Sequence, residues 1–74
     1  MLTVIGYRAF YGCGLESFKA PFWVREIGDL AFGACRSLRD FQLSEKIWRL
    51  GWLCFWNTAI PTMTIPQRVK KTPE

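Results

Sequence analysis

The chain contains no histidine, which removes the commonest general base for a serine or cysteine nucleophile. The carboxylates do not compensate. Glu16, Glu26, Asp29, Asp40 and Glu45 occupy non-equivalent positions with no partnered spacing, so no acid and base couple is legible and catalysis is not expected. Three cysteines are present, but no Cys-x-x-Cys occurs, and a zinc site has nothing to build on. No metal or cofactor is expected. Long apolar runs are missing as well: the longest, LGWLCFW at 50–56, is far short of the roughly 20 residues a membrane span needs. The opening MLTVIGYRAF has no basic segment leading into a long apolar core, so no secretory leader is read there. The sequence reads as soluble and untargeted, or as cut from something longer.

What is present points to a packed chain. Half of the 74 residues are apolar and 16% are aromatic, with four Trp, too hydrophobic for a disordered tail. A chain of this length makes one domain at most, and its stability is marginal without staples or partners. Ten Lys and Arg against six Asp and Glu give a formal charge of +4, scattered except for RVKK at 68–71. A nucleic-acid binder gathers its basic charge on one face, so that class is disfavoured.

The informative feature is repetition. IGYRAFYGC at 5–13 and IGDLAFGAC at 27–35 share Ile, Gly, Ala, Phe and Cys at matching places, and LGWLCFWNT at 50–58 keeps the aliphatic, the Gly and the Phe. Ile5 and Ile27 are 22 residues apart, Ile27 and Leu50 are 23. Agreement continues downstream through Leu15, Phe18, Ala20, Pro21 and Val24, then Leu38, Phe41, Leu43, Ser44 and Ile47, then Ile60, Met63, Ile65, Pro66 and Val69. Even Leu2 stands before Ile5 as Val24 stands before Ile27. A period in this range marks units that bury their apolar faces only against neighbours. Equivalent positions then stack, so Phe10, Phe32 and Phe55 are expected to form one internal column, and Ile5, Ile27 and Leu50 another.

Within a unit the local spacing changes. Ile27, Ala31 and Cys35 fall four apart beside Phe32, the spacing of one face of a helical turn. Phe41 and Leu43 alternate with Asp40 and Gln42, and Met63 and Ile65 with Thr62 and Thr64, which is strand spacing with one face buried. Each unit therefore reads as turn, short helix, short strand. The Gly after each opening aliphatic residue implies a positive φ or a close backbone approach.

The pattern IG..AF..C..L..F..P..V..IG resembles the BspA-like class of leucine-rich repeats over essentially the whole chain. The resemblance implies an α/β fold: a short leucine-rich-repeat solenoid of about three units with parallel strands. Those units run roughly over 5–26, 27–49 and 50–71, within a single domain 1–74 that reads as a piece of a longer array. It further implies a non-enzymatic role in adhesion or protein binding, at a cell surface or secreted.

Two candidate surfaces follow. On the strands, Ser17, Lys19, Asp40, Gln42, Thr62 and Thr64 form a polar outward face, of the sort leucine-rich repeats use for ligands. Elsewhere, Trp23 aligns with Lys46 and Arg68, Trp48 with Arg25 and Lys70, and Trp52 with Tyr7 and Asp29. Positions that accept charge are expected to face solvent, with Phe22 as a further exposed aromatic. Such exposure marks an interaction surface, unless these rings pack on each other or on a neighbouring rung. The expected partner is thus a protein, neighbouring repeats or a second copy. Weak binding of anionic polymers through Arg25, Arg49, Arg68, Lys70 and Lys71 is a third reading. Cys13 and Cys35 share a repeat position, close enough for a bridge; parallel side-chain vectors favour unpaired core thiols instead.

Overall fold

In a computed structural model, which describes residues 3–61, 63 and 65–71, the chain forms six short strands. They are β1 (Val4–Ile5), β2 (Ser17–Lys19), β3 (Glu26–Ile27), β4 (Asp40–Gln42), β5 (Arg49–Leu50) and β6 (Lys70–Lys71). All pairings are parallel. One four-stranded sheet has the order β1-β3-β5-β6 and a two-stranded sheet pairs β2 with β4.

Register explains the repeat. Ile5 lies opposite Ile27 and Ile27 opposite Leu50, all buried, so the inward row of the larger sheet is the expected aliphatic column. Phe18 lies opposite Phe41 on the smaller sheet. Between the sheets Phe32 is the hub. Its ring centroid is 5.1 Å from Phe10, 6.0 Å from Phe55, 5.0 Å from Phe18 and 4.8 Å from Phe41, and it is wholly buried. The column Phe10, Phe32, Phe55 is therefore real, and the strand phenylalanines interdigitate with it. Ser44 is the one buried polar residue among those described, and its hydroxyl donates to the Val24 carbonyl, as burial of a polar group requires.

The expected helix is absent: no described residue is helical. Residues spaced four apart line the core here through consecutive turns. In the first copy Ala9, Tyr11 and Cys13 amides donate back to Gly6, Arg8 and Phe10, while the intervening Arg8, Phe10 and Gly12 amides donate across to Asp29, Ala31 and Gly33. The second copy repeats the crossing bonds, from Leu30, Phe32 and Ala34 to Trp52, Cys54 and Trp56. Every other amide is committed to the next rung, which precludes the i to i−4 ladder of an α-helix. The α part of the expected α/β class is thereby corrected to stacked turns.

The glycines resolve between the two reasons proposed for them. A Cβ on Gly28 would meet the Gly6 carbonyl carbon and the Tyr7 nitrogen at 2.9 Å, and one on Gly51 would meet Gly28 and Asp29 backbone at 2.5 Å. Close approach to the preceding rung is what excludes a side chain. Positive φ falls elsewhere, at Arg8, Leu30 and Leu53 and again at Gly12, Ala34 and Asn57, two matched sets around the turns.

Two further expectations shift. The sequence placed no strand at the Ile-Gly corner, yet the larger sheet is built there. And the sequence aligned Trp48 with Lys70, whereas the register sets Arg49 opposite Lys70 and Leu50 opposite Lys71, so a lysine occupies the place of the aliphatic column. The outer thirds of the pattern at Leu2, Thr62 and Thr64 lie outside the described residues.

Candidate functional site

The polar strand face is assembled by β2 and β4. Ser17 stands opposite Asp40 and Lys19 opposite Gln42, all four exposed around a shallow depression. Lys19 and Gln42 also border a hollow continuing to Phe22 and Glu45. Thr62 and Thr64, named for the same face, are not among the described residues.

The tryptophan residues divide. Trp23, Arg25 and Trp48 come together with Thr3 and Lys46 around a groove of about 390 Å³. Backbone bonds fix its floor: the Arg25 amide donates to Thr3 at 2.7 Å and the Trp48 amide to Arg25 at 2.9 Å. Trp48 is 38% exposed, while Trp23 is half-buried with its ring edge-on to Phe22 at 5.3 Å. Trp52 belongs to another surface. It lies in the turn after β5, where its amide donates to Asp29 Oδ1 at 2.7 Å and its carbonyl accepts from Leu30.

Sequence reasoning overlooked Thr3 and Lys46, although the alignment of Lys46 with Trp23 carried the signal. It also overlooked a cluster on the first turn, where the Arg8 guanidinium sits 4.2 Å over the Tyr11 ring and 5.9 Å from that of Tyr7, within cation–π range. Nothing in the repeat marked it, because the second and third copies have no counterpart.

This geometry of registered parallel rungs meets one comparison directly: a family model described as BspA type Leucine rich repeat region (6 copies) matches residues 3–74. The chain belongs to the BspA-type leucine-rich-repeat family. No curated protein and no solved structure matches it.

In this BspA-type stack the cations are unevenly free. Arg49 pairs with Glu26 at 3.2 Å along the outward row of the larger sheet. Arg68 donates to the carbonyls of Ile47 and, at 2.8 Å, Glu45, so its charge serves to close the chain onto itself. Lys70 and Lys71 stand exposed on β6. The anionic-polymer set thus splits into tied arginines, a groove arginine and a lysine edge.

The three cysteines of the BspA-type chain are unpaired. Cys35 Sγ lies 3.1 Å from the Phe10 carbonyl, and burial pushes its thiol up. Desolvation pushes the Cys54 thiol further, to about 12, so both remain neutral packing groups. Among the described residues no three His, Cys, Asp or Glu side chains gather as a metal site, and no helix is long and apolar enough to cross a membrane.

Proposed function

We propose that the chain is a non-catalytic protein-interaction or adhesion module, a short solenoid whose units 5–26, 27–49 and 50–71 continue a longer array at a cell surface. The groove of Trp23, Arg25, Lys46 and Trp48 carries this reading. Two indoles beside two cations on a fixed backbone floor match the composition of binding hot spots, where Trp and Arg dominate. The polar row of Lys19, Asp40 and Gln42 is the secondary contact, giving orientation more than affinity. Family membership supports the interaction role. The groove supports its location.

The test is retention of surface proteins on the immobilised chain, compared with a Trp23→Lys, Trp48→Lys double variant of equal melting behaviour. Loss of retention in the variant is the expected result. Equal retention by both proteins overturns the assignment of the groove.

A further inference from the structure

Arg25 and Lys46 each stand beside a carboxylate in sequence, yet neither is neutralised by it. Glu26, next to Arg25, is engaged instead by Arg49 at 3.2 Å. Glu45, next to Lys46, borders the other hollow with Lys19 and Phe22. The groove between them is lined by Thr3, Trp23, Arg25, Lys46 and Trp48, with no carboxylate. Neither cation has an ion pair among the described residues.

The same exclusion runs along the flank of the stack. Amide to carbonyl bonds link Thr3, Arg25, Trp48 and Lys70 into one column, and Trp23, Lys46 and Arg68 are equivalent positions of the column beside it. All six Asp and Glu of the sequence lie outside these two columns, which hold Arg25, Lys46, Arg68 and Lys70. Arg68 is fixed there by the Ile47 and Glu45 carbonyls, so no carboxylate cancels its charge. Uncompensated cations around a half-apolar groove complement an occupant that brings carboxylates.

The indoles decide what kind of occupant. Trp48 interrupts its column between Arg25 and Lys70, so a uniformly charged glycan finds no continuous row of cations. Base stacking needs a freely presented ring, and Trp23 is half-buried with its ring edge-on to Phe22. A peptide suits the alternation, because its apolar and charged side chains can succeed one another as the indoles and cations do. We propose that the groove binds an acidic segment of a partner protein, an apolar side chain resting on Trp23 and Trp48 and carboxylates reaching Arg25 and Lys46. Arg25 takes both oxygens of one carboxylate through its planar fork, and Lys46 acts as a point charge on the next. The proposal rests on the protein-interaction reading of this groove and adds the chemistry of what it takes.

Titration of the 74-residue chain with the blocked peptide Glu-Glu-Leu-Glu-Glu, followed by amide chemical shifts, tests this against the same peptide with every Glu replaced by Gln. The acidic peptide is expected to bind about tenfold more tightly than its neutral counterpart. Arg25→Gln and Lys46→Gln should each weaken it by about tenfold with an unchanged melt, since the backbone bonds of the groove floor remain. Arg36→Gln removes the same charge from an exposed turn outside the groove and should leave the affinity as it was. Equal binding of the two peptides overturns the proposal. So does tighter binding of heparin or oligothymidylate than of the acidic peptide, or an Arg36→Gln loss equal to that of Arg25→Gln. The Trp23→Lys, Trp48→Lys variant separates this failure from that of the groove. Retention of surface proteins that the variant loses, with no preference for the acidic peptide, sinks the acidic chemistry alone, whereas retention equal to wild type sinks the groove itself.

Discussion

Phe32 stacks on Phe10 with ring planes 9° apart and centroids 5.1 Å apart, although 22 residues separate them in sequence. The pair shows in miniature how the chain holds itself: identical side chains from successive copies meet face to face, and a tilted ring from β2 and an edge-on ring from β4 lock them.

Truncation of the hub should therefore unfold so small a protein. Phe32→Ala removes a fully buried ring, which costs roughly 3–5 kcal/mol, a large share of the stability of a 74-residue chain. Loss of the cooperative melt by circular dichroism is the expected outcome.

Gly51→Ala offers a sharper probe of rung spacing. Its methyl would meet backbone atoms of Gly28 and Asp29 at 2.5 Å, which cannot swing aside as the nearby Asp29 carboxylate could. Overpacking of this kind costs about 1–3 kcal/mol or more. A urea midpoint equal to wild type would contradict the close approach.

Ala34→Gly should act in the opposite direction. Ala34 is held at φ 57°, a region that costs an L-residue about 1–2 kcal/mol, while glycine there loses roughly 0.5–1 kcal/mol in entropy. The first copy already has Gly12 at the matching place. Equal or modestly higher stability is expected, read from the denaturation midpoint.

Alkali should loosen the fold through Cys54. Its thiol ionises near 9.0 when exposed and at about 12 when folded. The folded pKa is raised, so the associated stability is fully present below pH 9 and is lost as pH climbs toward 12. In keeping with this, the half-buried Cys13 should alkylate in the native protein at neutral pH, and Cys35 and Cys54 only on unfolding. Equal labelling of all three would refute the burial pattern.

Trp23→Lys should leave the fold nearly intact, within about 1 kcal/mol. The same position carries Lys46 one rung later, and the indole is only half-buried. A chain that unfolds on this change, while Phe32→Ala melts normally, would reverse the assignment of core and surface.

The columns were legible because a residue in a stack must suit the residue above and below it, and so Phe10, Phe32 and Phe55 repeat. The larger sheet was not legible. Strands of two residues such as Glu26–Ile27 are too short to show alternation, and their identity lies in pairing across copies. The stacked turns imitated a helix because Ile27, Ala31 and Cys35 keep helical spacing while the backbone between them alternates its bonds. Leu30 and Leu53 gave no warning of positive φ, since leucine rarely adopts it; Gly12 and Asn57 carried the usual signal. For the surface, the alignment of Trp23 with Lys46 pointed to a shared outward position. It could not reveal that Trp52, equally exposed by the same logic, stands apart from the groove.

The alternation of crossing and returning amides also sets how such a chain assembles in time. Each crossing bond joins positions one repeat apart, so adding a rung closes a loop of nearly the same length and returns nearly the same set of bonds. Loop closure costs vary little at constant length, and stability then rises in equal steps with each rung. Folding is thus a zipper that pays its entropy once per repeat, slowest at the first pair of rungs and quicker after it.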